Sequence, residues 1–129
     1  MDLLPGSYWG TNSRDTAVTI REAIFYYLEW AIRKRCPTYC ADSHYGVTVI
    51  PREEWMEVLA EWSAFKERLL KASIPIQMEI TSGIPLDYRT TFLKDFPRNR
   101  KHLIRLIEQL SEWVRKTLAG WLEISVCGI

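Results

Sequence analysis

Apolar positions recur at helical spacing over three long stretches of the chain. Ala17, Ile20, Ile24, Tyr27, Leu28 and Ala31 follow intervals of three and four, which places them on one face of a helix predicted over 14–35. Phe25, Tyr26 and Trp30 put aromatics elsewhere on its circumference, so this helix is expected to be central or to offer a second face. Ser13 or Asp15 suits its start, Arg33, Lys34 and Arg35 suit the negative end of its dipole, and Pro37 prevents continuation. A second helix is predicted from Pro51 to Ala72, with Trp55, Val58, Leu59, Trp62, Phe65 and Leu69 as its core stripe. The last long helix, 98–123, buries Leu103, Leu106, Ile107, Leu110, Trp113, Val114, Leu118, Trp121 and Leu122. Between these two, "TSGIP" marks a turn, and a short helix capped by Asp87 runs to about Phe96, where Pro97 interrupts it.

The remaining segments carry no helical period. Residues 1–13, with Pro5, Gly6 and Gly10, read as an irregular N-terminal arm. "GVTVI" is short and β-branched, and "IPIQMEI" at 74–80 alternates Ile76, Met78 and Ile80 against Gln77 and Glu79. The strands 47–50 and 76–80 either pair as a minor ribbon or are loops tied down by apolar side chains. No repeat or interdomain linker interrupts the chain. The expected fold is mostly α: one domain over 1–129, a helical bundle of three long helices plus one short helix, with at most a two-stranded β element.

Composition narrows the function classes. A chain of 129 residues that is 47% hydrophobic and 26% charged is long enough to bury a real core and is not of disordered type. Its formal charge of +1 argues against a general nucleic-acid binder. "MDLLPGSYWG" lacks the basic and apolar regions of a signal peptide, and no stretch approaches the roughly 20 apolar residues of a membrane span. A cytoplasmic protein with three reduced cysteines is therefore expected. Its six tryptophans exceed ordinary use, and tryptophan is the commonest interface anchor.

Three clusters carry candidate chemistry. Cys36, Cys40 and His44 lie at four-residue intervals, with Asp42, His102 or Cys127 as a fourth metal ligand. No second Cys or His pair follows, and a redox pair has two intervening residues where this one has three. The expected reading is therefore no metal and no cofactor. Cys36 and Cys40 pack, while Asp42, His44 and Tyr45 form an exposed rim. The second cluster is acidic. Glu53, Glu57 and Glu61 recur every four residues, Glu54 and Asp42 reinforce them, and residues 37–61 hold five acids against the single Arg52. Acids suit a helix start, but that accounts poorly for Glu61, which lies beyond the first turns. A basic protein partner would be attracted here, with Trp55 or Trp62 as anchors if either is partly exposed. The third cluster, Arg98, Arg100, Lys101, His102 and Arg105, opposes the dipole at the start of the last helix. The favoured reading is that the acidic second helix pairs with it or that it is simply solvated; otherwise it binds an anion.

Arg98-Asn99, followed by His102 after two residues, resembles the Arg-Asn-to-His motif of HEPN-type RNases, although that family has a longer spacing. This resemblance implies a small helical RNase or nucleic-acid-linked regulator with His102 as its catalytic residue. No glycine-rich phosphate loop and no nucleophile motif accompany it, so an enzyme is not the expectation. In size, aromatic richness and lack of catalytic motif the chain resembles the bacterial immunity proteins and antitoxins. That resemblance implies neutralisation of a cognate toxin by covering its basic active site, through Asp42, His44, Tyr45, Glu53, Trp55, Glu57, Glu61 and Trp62. A phage- or host-encoded regulatory adaptor using the same surfaces is the third reading.

Overall fold

Two tryptophans seven residues apart on one helix organise the core. In the computed structural model, which describes residues 1–6, 16–39, 45–71 and 86–128, that helix is α2, Arg52–Lys71. Trp55 and Trp62 are both fully buried. The indole N–H of Trp55 donates to the Ile124 carbonyl at 3.2 Å, and that of Trp62 to the Leu28 carbonyl at 3.1 Å. Their rings meet edge to face at 6.1 Å. α2 therefore grips a sheet with one indole and the helix α1, Glu22–Arg35, with the other.

The sheet has four strands in the order β2-β1-β4-β3, every pair antiparallel: β1 is Asp2–Pro5, β2 Val18–Thr19, β3 Val47–Pro51 and β4 Glu123–Cys127. Leu3, Ile50, Ile124 and Val126 deliver its inner face into a single cluster with Phe25, Leu28, Phe65, Ile107 and Val114. α4, Phe96–Gly120, packs on α2, and the short α3, Leu86–Lys94, packs on α4 and α1. The extra aromatics of α1 find their second face here. Tyr27 donates its hydroxyl to the Tyr88 carbonyl at 2.9 Å, and Tyr26 lies 4.8 Å from the Tyr88 ring.

The four helices agree with the periodicity, but the β content is larger than a two-stranded element and is built from different segments. The N-terminal arm is a strand over Asp2–Pro5, paired on both sides. The first helix begins at Glu22, because 16–20 is rich in β-branched residues and Val18–Thr19 pairs with β1. Helix α4 stops at Gly120, and the following Ile124 and Val126 alternate inward as a strand. β3 pairs with this last segment, not with 76–80. Residues 76–80, together with Ser13 and Asp15, lie outside the described residues. No helix among the described residues is long and apolar enough to cross a membrane.

The acidic helix is not the counterion of the basic one. Among the described residues, the ion pair joining α2 and α4 runs the other way, from Lys66 to Glu108 at 3.6 Å. At the opposite end, α4 has no basic residue in its last turn. Arg52 of α2 supplies one, donating to the carbonyl oxygens of Leu118 and Trp121.

Candidate functional site

Cys36 belongs to the core. Its N–H caps α1 by donating to the Ile32 carbonyl at 2.8 Å, and its carbonyl accepts the Tyr39 N–H at 2.9 Å. Tyr39 then donates its hydroxyl to Glu29 at 2.7 Å, so the chain after α1 is bolted beneath that helix. Burial, reinforced by the charge and hydrogen bond of Glu54, pushes the Cys36 thiol up to about 12. A neutral buried thiol is neither a nucleophile nor a ready metal ligand. Among the described residues no group of three His, Cys, Asp or Glu is placed to hold a metal ion. Cys40, Asp42 and His44 lie outside the described residues. Cys36 is expected to resist a thiol reagent at pH 8 in the native protein and to react on unfolding, as peptide mapping would show. Stability should also fall as pH rises from the ordinary thiol range toward about 12, because the folded chain keeps a proton that the unfolded chain releases. Cys36→Ala should flatten that slope.

The acidic stripe divides in two. Glu61 is turned inward and takes Nε and a terminal nitrogen of Arg35 at 2.8 and 2.6 Å, with the Lys34 ammonium at 3.0 Å. Burial alone would raise its carboxyl, but the hydrogen bonds and charges of Arg35 and Lys34 outweigh this and hold it below the usual carboxylate range. The pair thus joins the end of α1 to α2, which assigns Glu61 a structural partner that sequence spacing did not suggest. Its contribution is present above the unfolded carboxylate value and is lost as pH falls through the lowered folded one. Glu61→Gln should cost about 1 kcal/mol at pH 7, reduced because both cations are partly exposed, and nothing at low pH. Urea midpoints measured at the two pH values would check this.

Glu53 and Glu57 remain exposed, and neither makes an ion pair among the described residues. The only base in this stretch, Arg52, is committed to the end of α4. The expected anchors Trp55 and Trp62 fail, since both are buried in the core and reach no surface. Exposed apolar side chains that sequence reasoning missed stand in their place. Met56 is 54% exposed between the two glutamates, and Val47 and Val49 alternate outward from the buried Thr48 and Ile50. The period-two pattern of β3 was the available signal for the valines. Tyr45, 69% exposed, sits just before β3.

β3 is also an edge. Gly128 donates to the Gly46 carbonyl and Arg52 to the Leu122 carbonyl, so the even-numbered residues face β4. The amides and carbonyls of Val47 and Val49 consequently point away from the sheet, where no described strand lies. An exposed tyrosine, a strand edge without a partner among the described residues and an acidic helix start thus follow one another along 45–57.

The basic cluster is spread over two sides of α4. Arg98 and Lys101 are exposed, and the Arg100 guanidinium lies 5.5 Å over the Phe96 ring. His102 and Arg105 stand on the wall of a groove of about 440 Å³ between α1, α3 and α4. Asn99, the central residue of the RNase-like motif, donates its amide to the Phe92 carbonyl at 3.0 Å and ties α3 to α4. Comparison with protein-family models, curated proteins and solved structures finds no match to this chain.

Proposed function

We propose that this chain is a binding protein that neutralises a cognate protein toxin by docking over its basic active-site surface. The observation that carries the reading is the surface 45–57. Glu53 and Glu57 stand exposed without counterions among the described residues, and the neighbouring Arg52 is committed to the carbonyls at the end of α4. Uncompensated acids raise the association rate with a basic partner, and Tyr45, Met56, Val47 and Val49 offer apolar area that slows dissociation. The strand edge adds main-chain donors and acceptors to which an extended segment of the partner can pair. Asp42 and His44 belong to this proposed rim by their place in the chain.

The test is a comparison of the wild-type chain with Glu53→Lys/Glu57→Lys, both immobilised in a lysate of the native host. The expected result is a basic protein retained in 1:1 ratio by the wild type, lost by the variant, and relieved of toxicity on co-expression. Equal retention by both chains, or no specific retention, would overturn the reading.

A further inference from the structure

His102, Arg105, Leu106, Gln109 and Trp113 follow helical spacing and form one stripe of α4. The stripe is the α4 wall of the groove, opposite α1 and α3. On its walls Ile24 is 40% exposed, and Phe92 and Tyr27 supply ring surface. A second hollow of about 450 Å³ shares Ile24, Leu106 and Gln109 with the first and continues to Trp113. The two together follow about 16 Å of helix. Each has the size of a small-molecule site.

Charge is one-sided in this groove. His102 and Arg105 are exposed on its wall and make no hydrogen bond or ion pair among the described residues, and no described lining residue is acidic. Three other polar groups nearby are engaged: Asn99 with Phe92, Tyr27 with Tyr88, and Thr91 with the Asp87 carbonyl. At the α3 end the Arg105 guanidinium and the His102 imidazole N–H are the donors; the Gln109 amide lies farther along, and Arg21 and Thr19 border the second hollow. That arrangement suits a single carboxylate, whose two oxygens accept from two donors, followed by an extended apolar body.

We propose that the groove between α1, α3 and α4 binds a free medium-chain alkyl carboxylate. Arg105 and His102 hold the head group, and the tail lies along Leu106 and Ile24 toward Trp113. This site shares no residue with the 45–57 surface and stands or falls independently of it.

The test titrates decanoate, and separately decanol, into the full chain by calorimetry and amide chemical-shift mapping. Saturable binding of decanoate that shifts Ile24, Leu106 and Gln109 is expected. Arg105→Ala and His102→Ala should each weaken it, Arg105→Ala by about tenfold or more, and decanol should bind more weakly by a similar factor. Ile24→Glu, which puts a carboxylate into an exposed wall position, should abolish binding while leaving the urea midpoint near wild type. Glu53→Lys/Glu57→Lys should leave decanoate affinity unchanged. The absence of saturable binding, decanol binding as tightly as decanoate, or unchanged affinity in the Arg105 and Ile24 variants would each overturn the proposal.

Discussion

Trp55→Ala should lower the unfolding free energy by about 3–5 kcal/mol, and Trp62→Ala by a similar amount. Each indole is fully buried, and truncation removes its packing and opens a cavity between rigid elements. Each also removes a second donor from a backbone carbonyl, Ile124 in the sheet for Trp55 and Leu28 in α1 for Trp62. A domain of this size has about 5–15 kcal/mol in total, so either change removes a large share. The rings touch, so the double variant should not lose the sum of the two. Urea unfolding followed by circular dichroism reads these values, with Met56→Ala, on the exposed side of α2, as the control within about 0.5 kcal/mol of wild type. A loss below about 1 kcal/mol for Trp55→Ala would mean that its indole does not stand in the core.

Arg52→Met should cost about 2–3 kcal/mol, the largest effect expected from a residue outside the core cluster. Methionine keeps much of the aliphatic length and removes the guanidinium. The Leu118 and Trp121 carbonyls then lose their charged donor at a helix end that has no basic residue of its own. Arg52→Lys should recover only part of the loss, since one ammonium does not reproduce a planar donor that bridges two carbonyls. Hydrogen exchange should localise the damage to the Trp121 amide, which donates to Thr117 in the last turn of α4. Uniform protection in the variant would show that the end of α4 is held by packing alone.

The helices were legible because each carries its own amphipathic period. Trp55, Val58, Leu59, Trp62, Phe65 and Leu69 are spaced so that any compact fold must bury them together, and all six are buried. Of the strands only β3 was signalled, by the short β-branched run at 47–50; the others were not legible. Asp2–Pro5 and Val18–Thr19 are too short to show an alternation, and each is a strand only because a distant segment supplies its hydrogen bonds. The helix expected over 98–123 overruns into Glu123 and leaves 124–127 unassigned, yet Glu123–Cys127 pairs on both sides with β1 and β3.

The candidate surface divides in the same way. Glu53, Glu57 and Tyr45 could be singled out from charge and position, since charge is a property of the residue. Which acids stay uncompensated depends on what approaches from elsewhere in the chain. Arg35 and Lys34 reach Glu61, and Arg52 turns to α4, both across long sequence separations. By itself, then, the sequence determined that there are four helices, the face that α2 buries and the excess of acid over 37–61, while Ile24, Trp121 and Leu122, expected to be buried, are exposed. Only the tertiary structure decided that β3 is an edge of the described sheet, and that His102 and Arg105 overlook a groove. Periodic patterns are local and survive in any fold. Strand pairing, counterions and grooves are made by residues that meet only after folding.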